Sequence, residues 1–328
     1  MKLKTRSFIN RRITILYVVL LGIACFLIIR TLFELSLFQK EEKALAIHLI
    51  EDVNKSDYKS LRMQGMNAAS EDLNVSLFTH PLPPNSVELM SILNDAKPDA
   101  IIVGDYVHEQ LDSFISEAQK QHIPVILSDY ATEVDDVVYI GVDHLSAGKT
   151  AARYLSPLIE EKGNVAIIGY HEEGSSGYLI GQGADEELSS YSTINVKTNA
   201  SCARDKNHCL SSIKQLLEQN KVDGIIALDA KSAYDVATLI KGMKLTKDIK
   251  MVAFEQSNSL IEYIQDETID ALFIYNSFNL GYLSLQYAEA MAKGDKVSAT
   301  EFLTTHIITK ENMFWLQNQK LLFPMKNL

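Results

Sequence analysis

Residues 222–240 read VDGIIALDAKSAYDVATLI, and this stretch contains the structural unit that the chain repeats. The apolar run at 224–228 predicts a buried strand, and the residues at 231–243 predict a helix directly after it. Comparable strand–helix units follow one another from 44 to 293. Apolar strands that alternate with helices favour parallel sheets with helices on both faces. The sequence therefore predicts an α/β protein.

Length and composition limit the possible organisation. At about 150 residues per domain, 328 residues allow two domains. The repeated units outnumber the strands of one sheet, so two doubly wound lobes are expected. The chain is 47% hydrophobic and 22% charged, which excludes a disordered protein. In doubly wound lobes ligands bind beyond the carboxyl ends of the strands, and the residues that follow each strand are therefore the candidate site.

The charge of the chain excludes nucleic acid as a partner. The formal net charge is −11, although five basic residues precede the first apolar run. Without those five residues the remainder carries −16. Nucleic-acid phosphates need a basic face. The five basic residues are Lys2, Lys4, Arg6, Arg11 and Arg12.

The N-terminal segment predicts a single membrane-spanning helix. Residues 13–29 contain no charged side chain, and the apolar character continues beyond Arg30. Such a run approaches the ~20 residues that a helix needs to cross a bilayer. Because the basic residues precede it, the N-terminus is expected in the cytoplasm. This organisation predicts a cytoplasmic segment at 1–12, a transmembrane helix at 13–33 and a stalk at 34–43.

Two alternatives for this segment stay open. A cleaved signal peptide normally has a shorter apolar core and ends at a small-residue cleavage site. A lipoprotein signal would use Cys25 as the lipidated residue, but the preceding Gly22-Ile23-Ala24 matches that pattern poorly. The uncleaved anchor is the reading that the length of the run favours.

The ordered strand-end segments resemble the type I periplasmic sugar-binding proteins, which bind ribose, galactose or xylose. The resemblance implies two lobes, with lobe I formed by 44–141 and 276–305 and lobe II by 142–275 and 306–328. The repressors that share this core carry an N-terminal DNA-binding motif, whereas this chain carries an apolar run there. The matching segments are NSVELMSILNDAKPDAIIVGDYVHEQLDSFISEAQKQHIPVILSD (85–129), IGVDHLSAGKTAARYL (140–155), GNVAIIG (163–169), VDGIIALDAKSAYDVATLI (222–240), KMVAFEQS (250–257) and IDALFIYNSFNLGYLSL (269–285).

The resemblance implies eight ligand-binding residues at the strand ends. An ionised carboxylate such as Asp129 accepts charge-assisted hydrogen bonds from sugar hydroxyls. Tyr130 and Ile180 stand where the family often has arginine, so the site lacks two forked donors. Without the resemblance, each strand-end acid is more simply a helix N-cap or a solvated loop residue. The eight residues are Tyr58, Asp105, Asp129, Asp143, Asp229, Glu255, Tyr275 and Asn276.

Other chemistry is not indicated by the sequence. The histidines lack metal-ligand spacing, and no nucleophile motif is present, so neither an enzyme, a metal nor a cofactor is expected. Cys202 and Cys209 enclose six residues, and outside the cell they could form a disulfide or remain two free thiols.

The predicted anchor suggests sensing rather than transport. The arrangement resembles the membrane-anchored xylose-sensing subunits that pair with LytS-type histidine kinases. It implies an extracellular or periplasmic receptor in the cell membrane that closes on a monosaccharide, for example a pentose such as xylose, and signals to a kinase. The alternatives are a substrate-binding subunit that works with an ABC permease, and a scaffold with a vestigial cleft.

Overall fold

The computed structural model describes residues 20–31, 44–51, 57–81, 86–104, 111–129, 134–170, 175–202, 206–219, 221–255 and 257–323. The strands are β1 (Ala46–Ile50), β2 (Ser76–His80), β3 (Ala100–Val103), β4 (Val125–Ser128), β5 (Val138–Gly141), β6 (Gly163–Gly169), β7 (Ile194–Ser201), β8 (Gly224–Ala227), β9 (Lys250–Phe254), β10 (Ala271–Ile274), β11 (Thr300–Phe302) and β12 (His306–Ile308). The helices are α1 (residues 20–31), α2 (Asp57–Leu73), α3 (Ser86–Ala96), α4 (Leu111–Lys120), α5 (His144–Leu158), α6 (Ser176–Leu188), α7 (Lys206–Glu218), α8 (Ala230–Gly242), α9 (Ile261–Gln265), α10 (Ser277–Ala292) and α11 (Leu316–Leu322), with a 3-10 helix at Asn258–Leu260 before α9.

The chain divides into two compact units, Met1–Ala44 and Leu45–Leu328. In the first unit, α1 carries apolar side chains that are largely exposed, such as Leu21 and Ile29. Within the ranges given above, no helix is both long enough and apolar enough to cross a membrane. The rest of the predicted span, the predicted cytoplasmic segment and nearly all of the stalk lie outside the described residues.

The second unit contains two six-stranded sheets. Their strand orders are β2-β1-β3-β4-β5-β11 and β7-β6-β8-β9-β10-β12. All neighbouring strands are parallel except β12, which runs antiparallel to β10. The central strands consist of branched and other apolar residues, such as AIIV in β3 and GIIA in β8, and every residue in these two strands is buried. Such strands belong in sheets covered on both faces. This architecture confirms the predicted α/β fold with two parallel-sheet lobes.

Two helices connect one sheet to the helical layer of the other. The helix α5 follows β5 of the first sheet but packs against β8 and β9 of the second. The helix α10 follows β10 of the second sheet but packs against β3 and β4 of the first. The residues between these strands and helices therefore lie where the chain crosses between lobes.

Each crossing helix packs closely against a neighbour through a pair of glycines. A Cβ atom on Gly281 of α10 would collide with the backbone carbonyl of Arg62 in α2, and one on Gly65 of α2 would collide with that of Phe278. In the second lobe, Gly148 of α5 and Gly183 of α6 are placed in the same way. The absence of side chains at these positions lets the helix backbones touch.

A disulfide joins two elements at one edge of the second sheet. Cys202 directly follows β7, and Cys209 lies in α7, with their Cα atoms 5.3 Å apart. Both residues are buried in the core that α7 and α8 form with this sheet. The bond fixes α7 against the end of the edge strand.

Two histidines lie side by side on the first sheet. The Nδ1 atom of His48 in β1 is 2.8 Å from Nε2 of His80 in β2, and the His48 ring centre lies 4.9 Å from that of Phe78. Burial, and then the neighbouring His80, lower the pKa of His48, although Asp99 opposes the shift. Burial also lowers the pKa of His80.

These shifts predict that acid destabilises the first lobe. Below about pH 6.5 the unfolded chain protonates its histidines while the folded pair resists it, so the free energy of unfolding falls as pH decreases. Urea unfolding at pH 7.5 and pH 5.5 measures this difference. The variant His80→Gln should reduce the difference, whereas His122→Asn, a change at an exposed loop residue, should leave it intact. If His80→Gln and His122→Asn reduced the stability difference between pH 7.5 and pH 5.5 equally, the pH dependence would not come from the His48–His80 pair.

Candidate functional site

Asp129 gathers polar groups from three segments where the lobes meet. Its carboxylate accepts hydrogen bonds from the hydroxyl of Tyr275 and from the backbone N–H of Val142, the latter at 3.3 Å. The Nε2 atom of His144 lies 2.9 Å from the same carboxylate. Asp129 follows β4 of the first sheet, and Tyr275 follows β10 of the second. We call Asp129, Val142, His144 and Tyr275 the hinge cluster.

A buried phenol adjoins the hinge cluster. The hydroxyl of Tyr139 in β5 donates to the carbonyl of Val142 at 2.6 Å. Burial, with the nearby charges of Asp129 and Asp143, raises the pKa of Tyr139 far above its ordinary value. A Cβ atom on Gly141 would approach both the Tyr139 hydroxyl and Asp129 Oδ1. The residues between β5 and α5 are therefore held against the hinge cluster by close packing and by the neutral hydroxyl of Tyr139.

Asp229 and Glu255 come together at the strand ends of the second sheet. Asp229 Oδ2 accepts a hydrogen bond from the backbone N–H of Tyr170 at 2.5 Å. Glu255 Oε2 accepts one from the backbone N–H of Ala230, the residue after Asp229, at 3.1 Å. We call Tyr170, Asp229 and Glu255 the second-lobe cluster.

Tyr170 also contacts two residues outside the second-lobe cluster. Its hydroxyl donates to Asp235 at 2.9 Å, and the ammonium of Lys231 lies 4.1 Å from its ring centre. Burial and the bond to Asp235 raise the pKa of Tyr170 well above its ordinary value. The ring is therefore a neutral, oriented group at the end of β6.

Asp129 and Glu255 occupy equivalent positions in the two sheets. Each directly follows the third strand of its sheet, which is β4 when counted from β11 in the first sheet and β9 when counted from β12 in the second. Both have left-handed backbone conformations, with φ of 65° and 68°. Each also donates its backbone N–H to the next strand, to Ile140 and Phe273. Non-glycine residues adopt this conformation rarely and at a free-energy cost, and such residues cluster at functional sites.

Three of the predicted site residues cap helices. The side chains of Asp143, Asp229 and Asn276 accept hydrogen bonds from the first turns of α5, α8 and α10. Burial acts to raise the pKa of Asp143, but hydrogen bonds from Ser146 and the charges of His144 and Lys149 lower it overall. Asp143 and Asn276 each begin the helix that crosses to the other lobe. The capping interpretation of these strand-end side chains therefore holds at all three positions.

A buried ion pair supports the first sheet's strand ends. The guanidinium of Arg62 in α2 contacts the carboxylate of Glu51, which follows β1, and both side chains are almost fully buried. Arg62 Nη1 also donates to the carbonyl of Ser128, the residue before Asp129, at 3.2 Å. The Ser128 side chain accepts a hydrogen bond from Ser284 of α10. Arg62 therefore links the ends of β1 and β4.

Two predicted site residues have not yet been placed, and three residues of the site were not predicted from the sequence. The backbone of Tyr58 belongs to α2, and Asp105 lies outside the described residues. Sequence reasoning missed Arg62 because a basic residue in an amphipathic helix normally predicts a solvated face. It also missed His144 and Tyr170, although both lie within three residues after a strand and so met the strand-end criterion.

A cavity lies beside the crossing segments. Its volume is about 250 Å³, and Asp143, Ser146, Phe273, Phe302 and Thr305 are among its lining residues. Among the described residues, no group of three His, Cys, Asp or Glu side chains could hold a metal ion together. The site therefore offers carboxylates, hydroxyls and capped helix ends.

Comparison with known proteins identifies the class to which this fold belongs. A family model described as a periplasmic binding protein domain matches residues 49–296. The chain belongs to this family, and the two-sheet fold agrees with that assignment.

Individual relatives are distant but cover most of the chain. The xylitol-binding protein of Mycolicibacterium smegmatis is 20% identical over 257 residues, which cover 76% of this chain and 73% of the relative. A carbohydrate transporter solute-binding protein from Agrobacterium radiobacter, solved with D-arabinose, has a TM-score of 0.76 and 22% identity over 86% of this chain and all of that one. The XylFII–LytSN complex contains a chain with a TM-score of 0.72 and 19% identity, which covers 82% of this chain and 99% of that one.

Proposed function

We propose that this protein is an extracellular or periplasmic receptor that closes on a neutral monosaccharide or its alditol. The observation that carries the proposal is the equivalent placement of Asp129 and Glu255, one per lobe, in the same strained backbone conformation. Two carboxylates at the strand ends of opposite lobes would accept hydroxyl donors from one ligand bound between them. The ligand would then stabilise the closed arrangement of lobes I and II.

The charge of the site disfavours an anionic ligand. The strand ends carry Asp129, Asp229 and Glu255, whereas the buried Arg62 is already paired with Glu51. An anionic sugar would meet like charges here, while a neutral polyol would donate hydroxyl groups to them. A relative named for xylitol binding and a structural neighbour solved with D-arabinose support a neutral sugar or alditol as the ligand.

We assign the ligand contacts to residues from both lobes. Asp129 and Tyr275 would form the end of the site at the hinge, and Asp229 and Glu255 the wall in lobe II. Asn276 and Asp143 would orient the crossing helices beside the ligand. Tyr58 and Asp105 would close the site from lobe I, in keeping with the family resemblance.

The experiment that tests the proposal is thermal unfolding of the full chain in mild detergent with a panel of pentoses, hexoses and alditols. A ligand at 100 times its Kd adds about 2.7 kcal/mol to the free energy of unfolding. We expect a rise of several degrees in Tm, since 1 kcal/mol shifts the Tm by about 2–4 °C in a domain of 150–250 residues.

A matched pair of variants makes the experiment specific. Glu255→Gln should remove most of the ligand-induced shift. Glu267→Gln changes another glutamate with a left-handed backbone, φ 62°, whose side chain instead pairs with exposed Lys310, and it should retain the shift. The proposal would be refuted if the chain unfolded cooperatively but no panel member raised its Tm. It would also be refuted if Glu255→Gln and Glu267→Gln lost the ligand-induced rise in Tm equally.

We further propose that the receptor is a single-pass membrane protein that signals to a histidine kinase. The uncharged run at 13–29 and the basic residues before it support the anchor. The likeness to a chain of the XylFII–LytSN complex supports the kinase. Ligand can bias a partner only through its differential affinity for the closed state, and a tenfold signal needs about 1.4 kcal/mol. Resistance to alkaline extraction from membranes, with release by detergent, would test the anchor.

The transporter alternative has its own support. The D-arabinose-bound neighbour is described as a carbohydrate transporter solute-binding protein. In that case the sugar experiment gives the same result, but ligand-loaded protein stimulates a permease ATPase rather than a kinase. Measuring both partner activities separates the two roles.

A further inference from the structure

The cavity beside the crossing segments is separate from the strand-end site. Its polar wall is one face of α5, where Asp143, Ser146 and Thr150 stand three and four residues apart. Its opposite wall is apolar and includes the buried ring of Phe273. Among the described residues, the cavity shares only Val142 with the hinge cluster and none with the second-lobe cluster. We call this cavity the hinge pocket.

Two segments that cross between the lobes line the hinge pocket. Val142 and Asp143 connect β5 to α5, and residues 303–305 connect β11 of the first sheet to β12 of the second. The backbone N–H of Leu303 donates to the carbonyl of Gly141 at 2.7 Å, which ties the two segments together. A rotation of one lobe against the other must alter these segments. Binding in the hinge pocket would therefore depend on how the lobes are arranged.

A series of contacts joins the hinge pocket to Asp129. The ring of Phe302, which lines the pocket and is 58% exposed, meets the ring of Tyr139 edge-on with 5.9 Å between their centres. The Tyr139 hydroxyl donates to the carbonyl of Val142, and the N–H of Val142 donates to Asp129. Because the hinge pocket and the proposed sugar site share Val142, a ligand in one should change the affinity of the other.

The lining of the hinge pocket favours a small amphipathic cation. Asp143 is the only charged side chain among the described lining residues. Burial acts to raise its pKa, but hydrogen bonds from Ser146 and the charges of His144 and Lys149 lower it, so the carboxylate is ionised at neutral pH. The apolar lining, which includes Phe302, favours a hydrocarbon body. The volume of about 250 Å³ holds about eight heavy atoms, if each takes the ~30 Å³ of a water molecule.

We propose that the hinge pocket binds a small organic ammonium ion with a hydrocarbon body, and that this binding is coupled to the affinity for sugar. The ammonium would pair with the carboxylate of Asp143, and the hydrocarbon body would lie against Phe302 and the apolar wall. Such a ligand acts on the sugar site through its different affinities for the two arrangements of the lobes. The coupling rests on the proposed receptor function, whereas occupation of the hinge pocket does not.

Calorimetric titration of the full chain in mild detergent with benzylamine tests the occupation. Benzylamine carries an ammonium on a small hydrocarbon body. Benzyl alcohol and benzoate keep the same ring but are neutral and anionic. We expect saturable heat with benzylamine, severalfold weaker binding of benzyl alcohol and no binding of benzoate, because the carboxylate of Asp143 attracts only the cation.

A matched pair of variants assigns the benzylamine heat to the hinge pocket. Thr150→Phe fills the pocket from the exposed face of α5 and should abolish the heat. Thr238→Phe changes an exposed threonine of α8 and should retain it. The two positions are comparable, because each hydroxyl donates to the carbonyl four residues earlier, at 2.8 Å and 2.7 Å. Glu255→Gln should also retain the benzylamine heat, although it loses sugar binding. Both threonine variants should unfold at close to the wild-type Tm.

The coupling is measured by titrating the sugar or alditol that most raises the Tm, with and without saturating benzylamine. We expect its Kd to change by about fivefold or more, and the Kd of benzylamine to change by the same factor when the sugar is saturating, because coupling is reciprocal. Thr150→Phe should remove this effect on the sugar. A Kd for the sugar that benzylamine leaves unchanged would overturn the coupling.

Two other outcomes would overturn the site itself. One is the absence of benzylamine heat from a cooperatively folded chain. The other is heat that Thr150→Phe retains and Glu255→Gln loses, because it would assign the amine to the acidic strand ends. If no sugar binds, the receptor function and the coupling fail together, while the benzylamine titration, which contains no sugar, still decides whether the hinge pocket is a binding site.

Discussion

Replacing Arg62 with methionine is expected to lower the free energy of unfolding by about 3–5 kcal/mol. The substitution leaves the carboxylate of Glu51 buried without its cation, and an uncompensated buried charge is among the costliest defects in a protein. It also removes the hydrogen bond to the Ser128 carbonyl, which positions the end of β4 before Asp129. Urea unfolding of the full chain in detergent measures the loss.

Two further variants isolate the charge effect. Replacing both partners, Glu51→Leu with Arg62→Met, should cost less than Arg62→Met alone, since an apolar pair leaves no buried charge. Arg153→Met removes an exposed arginine that pairs with Glu187 on the helix surface, and should change stability little, because exposed ion pairs contribute little to it. If Arg62→Met and Arg153→Met cost the same, the buried pair does not have the role assigned here.

Gly281→Ala is expected to destabilise the first lobe by up to about 2 kcal/mol, which is the cost of overpacking less the gain in helix propensity. Alanine favours a helix over glycine by about 1 kcal/mol, but its Cβ atom would collide with the backbone of α2 at Arg62. Overpacking against a rigid neighbour typically costs about 1–3 kcal/mol, occasionally more. Backbone cannot move aside as a side chain does, so the collision outweighs the gain in helix propensity.

The same exchange at another helical glycine provides the control. Gly242 ends α8 with nothing within 4 Å of its would-be Cβ atom, so Gly242→Ala should be neutral or stabilising by up to about 1 kcal/mol. Denaturant unfolding compares the two variants. A stabilised Gly281→Ala would show that α2 and α10 do not pack backbone to backbone.

The fold was predictable because burial on both faces leaves a clear pattern. Runs such as AIIV at 100–103 and GIIAL at 224–228 admit only apolar residues, so the strands and the helices between them could be located from sequence. The antiparallel strand β12 was not distinguished, because three residues at 306–308 are too few to establish a period. The packing of α5 and α10 on opposite lobes followed from the resemblance, not from any local pattern.

The candidate site was predictable only in part, because much of its geometry leaves no local pattern in the sequence. Strand ends identify Asp129 and Glu255 as candidates, but the sequence carries no sign of their left-handed backbones. Local pattern cannot place Arg62 beneath β4 or Tyr275 against Asp129, because each contact joins segments more than 60 residues apart. The eight assigned ligand contacts therefore stay a prediction for experiment.

Calorimetric titration of the full chain tests the central claim most directly. The titrants are the neutral sugar or alditol that most raises the Tm and the aldonic acid of the same carbon skeleton. We predict saturable heat with the neutral ligand, loss of that heat in Glu255→Gln, and no binding of the acid, because the strand-end carboxylates repel it. Tighter binding of the acid, or no heat with any neutral sugar or alditol, would contradict the proposed receptor function.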